Sequence, residues 1–206
     1  AAPAGAVLAG LLTDRDGNVR HRASRALFSA APTDPVVVKA LAARLADDDP
    51  WDIGVSCMAA LGRIGPKAAP AVPAILRSME IDRSRRFGGL RALEKIAPRS
   101  PLALPVLLRL LRQSLVKERI PDERVIAAIG AYGPAAEAAV ADLVKATKVK
   151  DDHPYYVDVA IWALGQIGPA AGSAAAEVRG FIPGPLGGTA QRALKQALHA
   201  AEKEAG

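Results

Sequence analysis

The chain has 206 residues and contains little of what most catalytic and metal sites are built from. Cys57 is its single cysteine, which excludes an internal disulfide and a cysteine-based zinc site. Aromatic residues make up only 4%, so the core must be built from Ala, Leu, Val and Ile. No apolar run approaches the ~20 residues of a membrane span. The first residues lack the basic start of a signal peptide, and the compartment stays open.

The usual catalytic residues are also sparse. The three histidines, His21, His153 and His199, form no His-x-x-x-His pair. Residues 151–153 read Asp-Asp-His, but they lie in a predicted solvated loop, which does not favour a metal site. Residues 184–188 lack the Gly-Lys-Ser/Thr of a phosphate-binding loop. We therefore expect a protein that is not an enzyme, with no catalytic site, no metal and no cofactor.

Charge is the one feature of the composition that points towards a partner. The chain carries 27 Lys and Arg against 21 Asp and Glu, a net charge of +6. This mildly basic balance permits an acidic partner without requiring one. The plainer alternative is that the charge only keeps the protein in solution.

A short string recurs along the whole chain. Residues 60–66 read Ala-Leu-Gly-Arg-Ile-Gly-Pro, and residues 163–169 repeat this string with one change. Variants of the string occupy 26–32, 92–98 and 128–134. The prolines that close these strings are about 34 residues apart, a period typical of solenoids built from helix pairs.

Each string predicts the joint between two helices. The last glycine supplies a left-handed cap for a first helix, A, and the proline cannot continue that helix. A second helix, B, follows. The period therefore predicts an all-α fold, a solenoid of about twelve antiparallel helices that forms one domain over 1–206. The expected units are 1–32, 33–66, 67–98, 99–134, 135–169 and 170–206.

The apolar spacing and the turn residues give the expected helix bounds. The B helices are predicted at 3–13, 35–46, 69–79, 101–115, 135–147 and 174–182, and the A helices at 19–30, 51–64, 83–96, 122–132, 154–167 and 189–204. The B helix around Arg179 is degraded, and the last helix is polar enough on one side to be a terminal cap. The pattern begins without an A helix and ends on an unpaired one, which favours a piece of a longer array.

These units resemble HEAT repeats, in their bacterial, Ala-rich form. Asp14-x-Asp16-x-x-Val19-Arg20 matches the family's loop and helix A, and residues 68–76 match its helix B. The resemblance covers essentially the whole chain, which departs from the family's pattern at 85–86, at 121–122 and in the degraded helix around Arg179. It implies a right-handed superhelix with A helices on the convex side, B helices on the concave side, and protein binding as the usual role. It also implies that Arg20 pairs with loop aspartates such as Asp14, Asp16 or Asp47.

The B helices carry the candidate partner-binding cations. Arg77, Arg109 and Lys145 each stand eleven residues after a repeat proline and are predicted to face solvent. With neighbouring helices ~8–10 Å apart, they would form a basic ladder on the concave face. Arg112 and Lys148 extend it. The expected partner is an acidic protein or peptide. The alternative is that these cations only solvate the surface, because repeats tend to inherit a charged residue at each equivalent position.

Two further candidates lie on A helices. Arg83, Arg85 and Arg86 stand at a predicted helix start, where free N–H groups and positive charge can hold an anion. The alternative for this cluster is a solvated helix face. Trp162 stands at a surface position of the repeat. It is either an exposed anchor for a partner or a cover for a neighbouring helix or for the loop at 183–188.

Three functions remain open from the sequence. The first is a protein-binding scaffold with a basic concave face. The second is a nucleic-acid-binding module, including one like the alkylpurine DNA glycosylases that are built on similar repeats. Asp142 and Glu177 are the only concave carboxylates that such an enzyme could use, and no aromatic residues interleave with the cations to stack on bases. The third is a structural spacer in a longer repeat array.

Overall fold

A computed structural model of the chain describes residues 4–30, 32–46, 51–118, 120–149 and 155–172, together with Ala174 and Val178. The chain divides into two compact units, Ala1–Ser100 and Pro101–Gly206. We describe each unit by itself. The expectation of one solenoid domain with a right-handed superhelix stays a prediction.

The described residues are helical and contain no strand. Their ten α-helices are α1 (Ala4–Leu11), α2 (Gly17–Ala30), α3 (Pro35–Ala43), α4 (Trp51–Ile64), α5 (Val72–Ser78), α6 (Arg83–Ile96), α7 (Ala103–Gln113), α8 (Glu123–Gly130), α9 (Val140–Thr147) and α10 (Tyr155–Ile167). The predicted all-α solenoid is confirmed. The described helices are fewer than the expected twelve, and the predicted helices at 174–182 and 189–204 lie almost wholly outside the described residues.

The joint between A and B helices has the predicted backbone. Gly65, Gly133 and Gly168, which precede the repeat prolines, have φ values of +70°, +59° and +78°. A side chain disfavours this left-handed region, so glycine is the residue that ends helix A there. The third joint has Ala97 in place of glycine, and its left-handed residue is instead Arg99, with a φ of +60°.

Two B helices begin differently from the prediction. After their joints the chain forms 3₁₀ segments, Gly65–Ala71 and Gly133–Ala139, and the α-helices α5 and α9 start only at Val72 and Val140. The expected α-helical starts at 69 and 135 are therefore wrong. In the first case Pro70 lies inside the 3₁₀ segment and Pro73 follows it, and neither has an N–H to donate to an α-helical hydrogen bond.

The first unit is built as two helix layers. Helix α4 packs against α2 and α6 in an A layer, whereas α3 lies between α1 and α5 in a B layer. Ile53, Cys57 and Leu61 on α4 are fully or almost fully buried between the layers. Burying one such aliphatic side chain contributes about 1.5–3 kcal/mol.

The second unit repeats this arrangement. Helix α10 packs against α8 in the A layer and against α9 in the B layer, and α7 packs against α8. Leu107, Leu111, Ile126 and Ile161 are buried at 2% exposure or less. Aliphatic residues therefore form the core, as the scarcity of aromatics predicts.

Hydrogen bonds from loop side chains start the helices. Asp34, Asp82 and Asp122 are N-cap residues whose carboxylates accept the backbone N–H groups of residues in the first turn. In the loop before α2, the Nη1 of Arg20 donates to the carbonyl oxygens of Asp14 and Arg15, at 2.9 and 3.1 Å. Arg20 thus braces the loop through its backbone, and the carboxylate pairing implied by the HEAT resemblance stays a prediction.

Candidate partner-binding surfaces

A buried carboxylate joins two B helices of the second unit. Asp142, in the first turn of α9, accepts a hydrogen bond from Arg112 of α7, with 2.6 Å between Oδ2 and Nε. Its other oxygen lies 3.4 Å from Nζ of Lys145. The side chain of Asp142 is only 9% exposed, whereas those of Arg112 and Lys145 are 57% and 68% exposed. The carboxylate therefore holds two cations that reach into solvent.

The contact fixes one edge of the Arg112 guanidinium and leaves the rest accessible. Arg112 makes no further hydrogen bond or ion pair within the described part of the chain. Its terminal amino groups can therefore bind a second anion while Asp142 keeps the side chain oriented. A side chain that is already ordered loses less conformational entropy when it binds a partner.

The other predicted ladder residues are on the surface of their helices. Arg109 on α7 and Lys148 after α9 are exposed, as is Lys145. Asp142 thus contacts two of the cations of α7 and α9. We call Arg109, Arg112, Lys145 and Lys148 the α7–α9 cations. Arg77 is exposed on α5 of the first unit. That these cations bind a partner stays a prediction.

Sequence reasoning missed the part that Asp142 takes in this cluster. It treated Asp142 as a possible catalytic carboxylate and did not pair it with the ladder. One local signal was available, because Asp142 and Lys145 are three residues apart on a predicted helix. The pairing with Arg112 depends on which B helices are neighbours, and thirty residues separate the two side chains.

The Arg83, Arg85 and Arg86 cluster is divided between surface and core. Arg83 is exposed, whereas Arg85 and Arg86 are only 3% and 6% exposed. A surface anion can reach Arg83 alone without rearranging helix α6. This placement favours a structural role for Arg85 and Arg86. A signal for it was present, since Arg85 aligns with the core residue Ile53 in the repeat.

The partners of Arg85 explain why a guanidinium lies in the core. Its Nη1 donates to the carbonyl oxygen of Leu45 at 3.1 Å and to Oγ of Ser78 at 3.2 Å. Its Nε lies 3.6 Å from a carboxylate oxygen of Asp82, the N-cap of its own helix. Gly54 of α4 makes room for it, because a Cβ there would lie 3.2 Å from Cζ of Arg85. Arg85 therefore ties α6 to α5 and to the segment after α3.

Trp162 packs against a neighbouring helix. It is half-buried on α10, and a Cβ added at Gly130 of α8 would lie 2.6 Å from its Cζ3. The indole thus fills the space above a glycine of the preceding A helix. Of the two expectations for Trp162, this contact favours the cover for a neighbouring helix, while the loop at 183–188 lies outside the described residues.

The described residues offer little for metal or thiol chemistry. Within them, no group of three or more His, Cys, Asp or Glu side chains is placed to hold a metal ion. Burial raises the pKa of the Cys57 thiol from 9.0 to about 12, against a smaller opposing effect of Arg44 and Arg85. The thiolate is the reactive form, so Cys57 is inert at neutral pH. None of the described helices is long and apolar enough to span a membrane.

Several solved structures share this fold. Two engineered proteins from a structural genomics consortium match the chain with TM-scores of 0.66 and 0.65, at 20% and 19% identity. Each match covers 98% of this chain, and 97% and 99% of those chains respectively. A designed armadillo repeat protein matches with a TM-score of 0.60 at 16% identity, over 95% of this chain and 99% of that one. At these identities the likeness shows a helical-repeat fold alone.

Comparisons of sequence add no family. No protein-family model matches the chain, and no curated protein matches it in sequence. The HEAT resemblance therefore remains a prediction within the broader helical-repeat fold.

Proposed function

We propose that the chain is a HEAT-like repeat scaffold, without catalytic activity, that binds an acidic protein segment through the cations of its B helices. The helical-repeat fold supports a scaffold, since such arrays present extended surfaces to partners. The loop braced by Arg20 and the Gly-Pro joints support the HEAT-like form of that fold. The designed and engineered proteins resemble the chain in fold alone and do not indicate a binding partner.

The contact between Arg112 and Asp142 carries the proposal. It brings cations of two B helices into one cluster, because Arg112 of α7 and Lys145 of α9 both contact the buried carboxylate of Asp142. Opposite charges on a partner would be drawn to such a cluster, and the attraction would weaken as salt screens it. Arg77 on α5 offers a further exposed cation at the equivalent repeat position.

A titration with an acidic probe tests this function. A fluorescein-labelled peptide of alternating Glu and Ser is expected to bind the wild-type chain, as measured by fluorescence anisotropy, and to bind less at higher salt. Reversing three cations (Arg77→Glu, Arg109→Glu, Lys145→Glu) should weaken binding at least about tenfold. A matched reversal of three exposed cations elsewhere, Arg22, Arg25 and Lys67, serves as the control.

Two results would count against the proposal. Equal loss in both triple variants would show that only net charge matters, and absence of binding at low salt would remove the acidic partner altogether. A parallel titration with duplex DNA separates the nucleic-acid alternative. Tight DNA binding with a steep salt dependence, in place of peptide binding, would favour that alternative.

A further inference from the structure

The A layer of the first unit contains an open groove that the proposed function does not use. The groove has a volume of about 480 Å³ and runs along α4, with α2 and α6 on its two sides. We call it the α4 groove. Its apolar lining includes Phe28 of α2, Val55 of α4 and Phe87 of α6, and the two phenylalanines are 37% and 43% exposed. Exposed aromatic rings that flank one groove provide apolar contact area for a partner.

Three cations surround these rings. Cζ of Arg63 lies 4.9 Å from the centroid of the Phe28 ring, and Cζ of Arg91 lies 5.6 Å from that of Phe87. Lys95 lines the same groove. Within the described residues no carboxylate lines the groove, and these three side chains make no ion pair there. The groove thus combines apolar walls with unneutralised positive charge.

The second unit shows how such a gap is filled when it is not used. Trp162 stands seven residues before its repeat proline and covers Gly130. The equivalent residues of the first unit are Arg25, Ala59 and Arg91, and the last two line the α4 groove together with Gly62. The α4 groove is therefore open at the repeat position where the second unit has the indole of Trp162.

We propose that the α4 groove binds an acidic peptide segment through one or two apolar side chains flanked by carboxylates. The apolar side chains would lie between the rings of Phe28 and Phe87, where they are removed from water. The flanking carboxylates would pair with Arg63, Arg91 and Lys95, which are otherwise without a carboxylate partner in the described part of the chain. Guanidinium groups already stacked on aromatic rings are ordered for such pairing.

Charge complementarity selects this occupant. A purely apolar segment would leave three cations next to a dry interface, which is costly. A purely acidic segment would leave the rings in water. A segment that carries both features satisfies both sets of groups, and this site differs from the α7–α9 cations because it requires the apolar side chains.

The test uses two fluorescein-labelled peptides of equal charge. One has Leu-Phe between two pairs of Glu, and the other has Gly-Ser in the same place. The wild-type chain is expected to bind the Leu-Phe peptide at least about tenfold more tightly than the Gly-Ser peptide, as measured by fluorescence anisotropy. Equal binding of the two would overturn the proposal, since charge alone would explain it.

Two variants locate the binding. Ala59→Trp fills the groove without changing its charge, and a triple change (Arg63→Gln, Arg91→Gln, Lys95→Gln) removes the cations. Either variant should weaken binding of the Leu-Phe peptide at least about tenfold, with helical circular dichroism unchanged. Arg22→Gln is the control, because Arg22 is an exposed cation that neither lines the groove nor belongs to a B helix, and this change should leave the binding unchanged.

Two further outcomes would overturn the proposal that the α4 groove binds this peptide. Undiminished binding in the triple variant would overturn the proposal even if Ala59→Trp failed to fold. Binding of phosphatidylserine vesicles, with no binding of the Leu-Phe peptide, would replace the peptide by a lipid surface and would also overturn it. Weaker binding of the Glu-Ser peptide by the B-helix variants, by contrast, bears only on the proposed function.

Discussion

Arg112 on α7 donates a hydrogen bond to Asp142 on α9, across a distance of 2.6 Å. This contact links two neighbouring B helices through a carboxylate that is buried and a guanidinium that is more than half exposed. It has a structural side, because it neutralises a buried charge, and a functional side, because it orients a cation at the surface. Both sides can be measured.

The structural side predicts a measurable coupling between the two residues. Asp142→Asn should lower the free energy of unfolding by about 1–2 kcal/mol, since the nearly buried acceptor of the Arg112 hydrogen bond loses its negative charge. Combined with Arg112→Gln in a double-mutant cycle, the two changes should show a coupling of about 1 kcal/mol. Urea unfolding followed by circular dichroism measures it. Strict additivity would contradict the contact.

The packing of Trp162 over Gly130 predicts opposite effects for two glycine substitutions. Gly130→Ala should destabilise the protein by about 1–3 kcal/mol, because the new Cβ would lie 2.6 Å from Cζ3 of Trp162 and 2.9 Å from Cα of Ala163. Gly10→Ala in α1 meets nothing within 4 Å and should stabilise by about 0.5–1 kcal/mol. Thermal unfolding decides this, and a shift of the same sign in both variants would contradict the packing.

The burial of Arg85 predicts that neighbouring arginines differ greatly in their effect on stability. Arg85→Met removes the donor for Leu45 and Ser78 and should cost about 3 kcal/mol or more. Arg83→Met, on the exposed side of the same turn, should change stability by about 0.5 kcal/mol or less. Similar unfolding midpoints for the two variants would show that Arg85 is not a core residue.

The Cys57 thiol predicts a loss of stability at high pH. Its pKa is about 12 in the folded chain, above the ordinary 9.0 of an unfolded one. Between those two values the unfolded state releases the proton first, so the stability that is present below pH 9 declines towards pH 12, by up to about 1.4 kcal/mol per unit. Cys57→Ala should remove this part of the decline. The unfolding free energies of the two proteins should therefore converge as pH rises, and parallel curves would contradict the buried thiol.

The same burial predicts that Cys57 does not react with a thiol reagent in the folded protein. Absorbance after addition of a disulfide reagent should rise only once denaturant is added. Immediate reaction of the native protein would show that the thiol is accessible.

Local signals in the sequence predicted much of the fold. The bounds of α4 and α6 agree with the prediction at both ends. Gly-Pro or Ala-Pro follows each helix and fixes where it stops. The 3₁₀ starts before α5 and α9 were not predicted, because the apolar pattern is the same in a short 3₁₀ stretch and in the α-helix that follows it. The predicted cap at 189–204 lies outside the described residues.

The candidate site was less accessible to sequence reasoning, for a physical reason. Repeat position correctly indicated that Arg77, Arg109 and Lys145 are on the surface, since exposure follows from the helical period. Which carboxylate neutralises which cation depends on contacts between repeats, and no periodicity encodes the pairing of Arg112 with Asp142. The α4 groove likewise arises from residues of three helices, and only the structure brings them together.

Binding of an acidic segment by the B-helix cations is the central claim, and one ratio tests it most directly. It is the dissociation constant of the Glu-Ser peptide for the Arg77→Glu, Arg109→Glu, Lys145→Glu variant divided by that for the charge-matched variant at Arg22, Arg25 and Lys67. Anisotropy titrations at one low salt concentration provide both values. We predict a ratio of about ten or more. A ratio near one would contradict the claim, because the position of the cations would then make no difference.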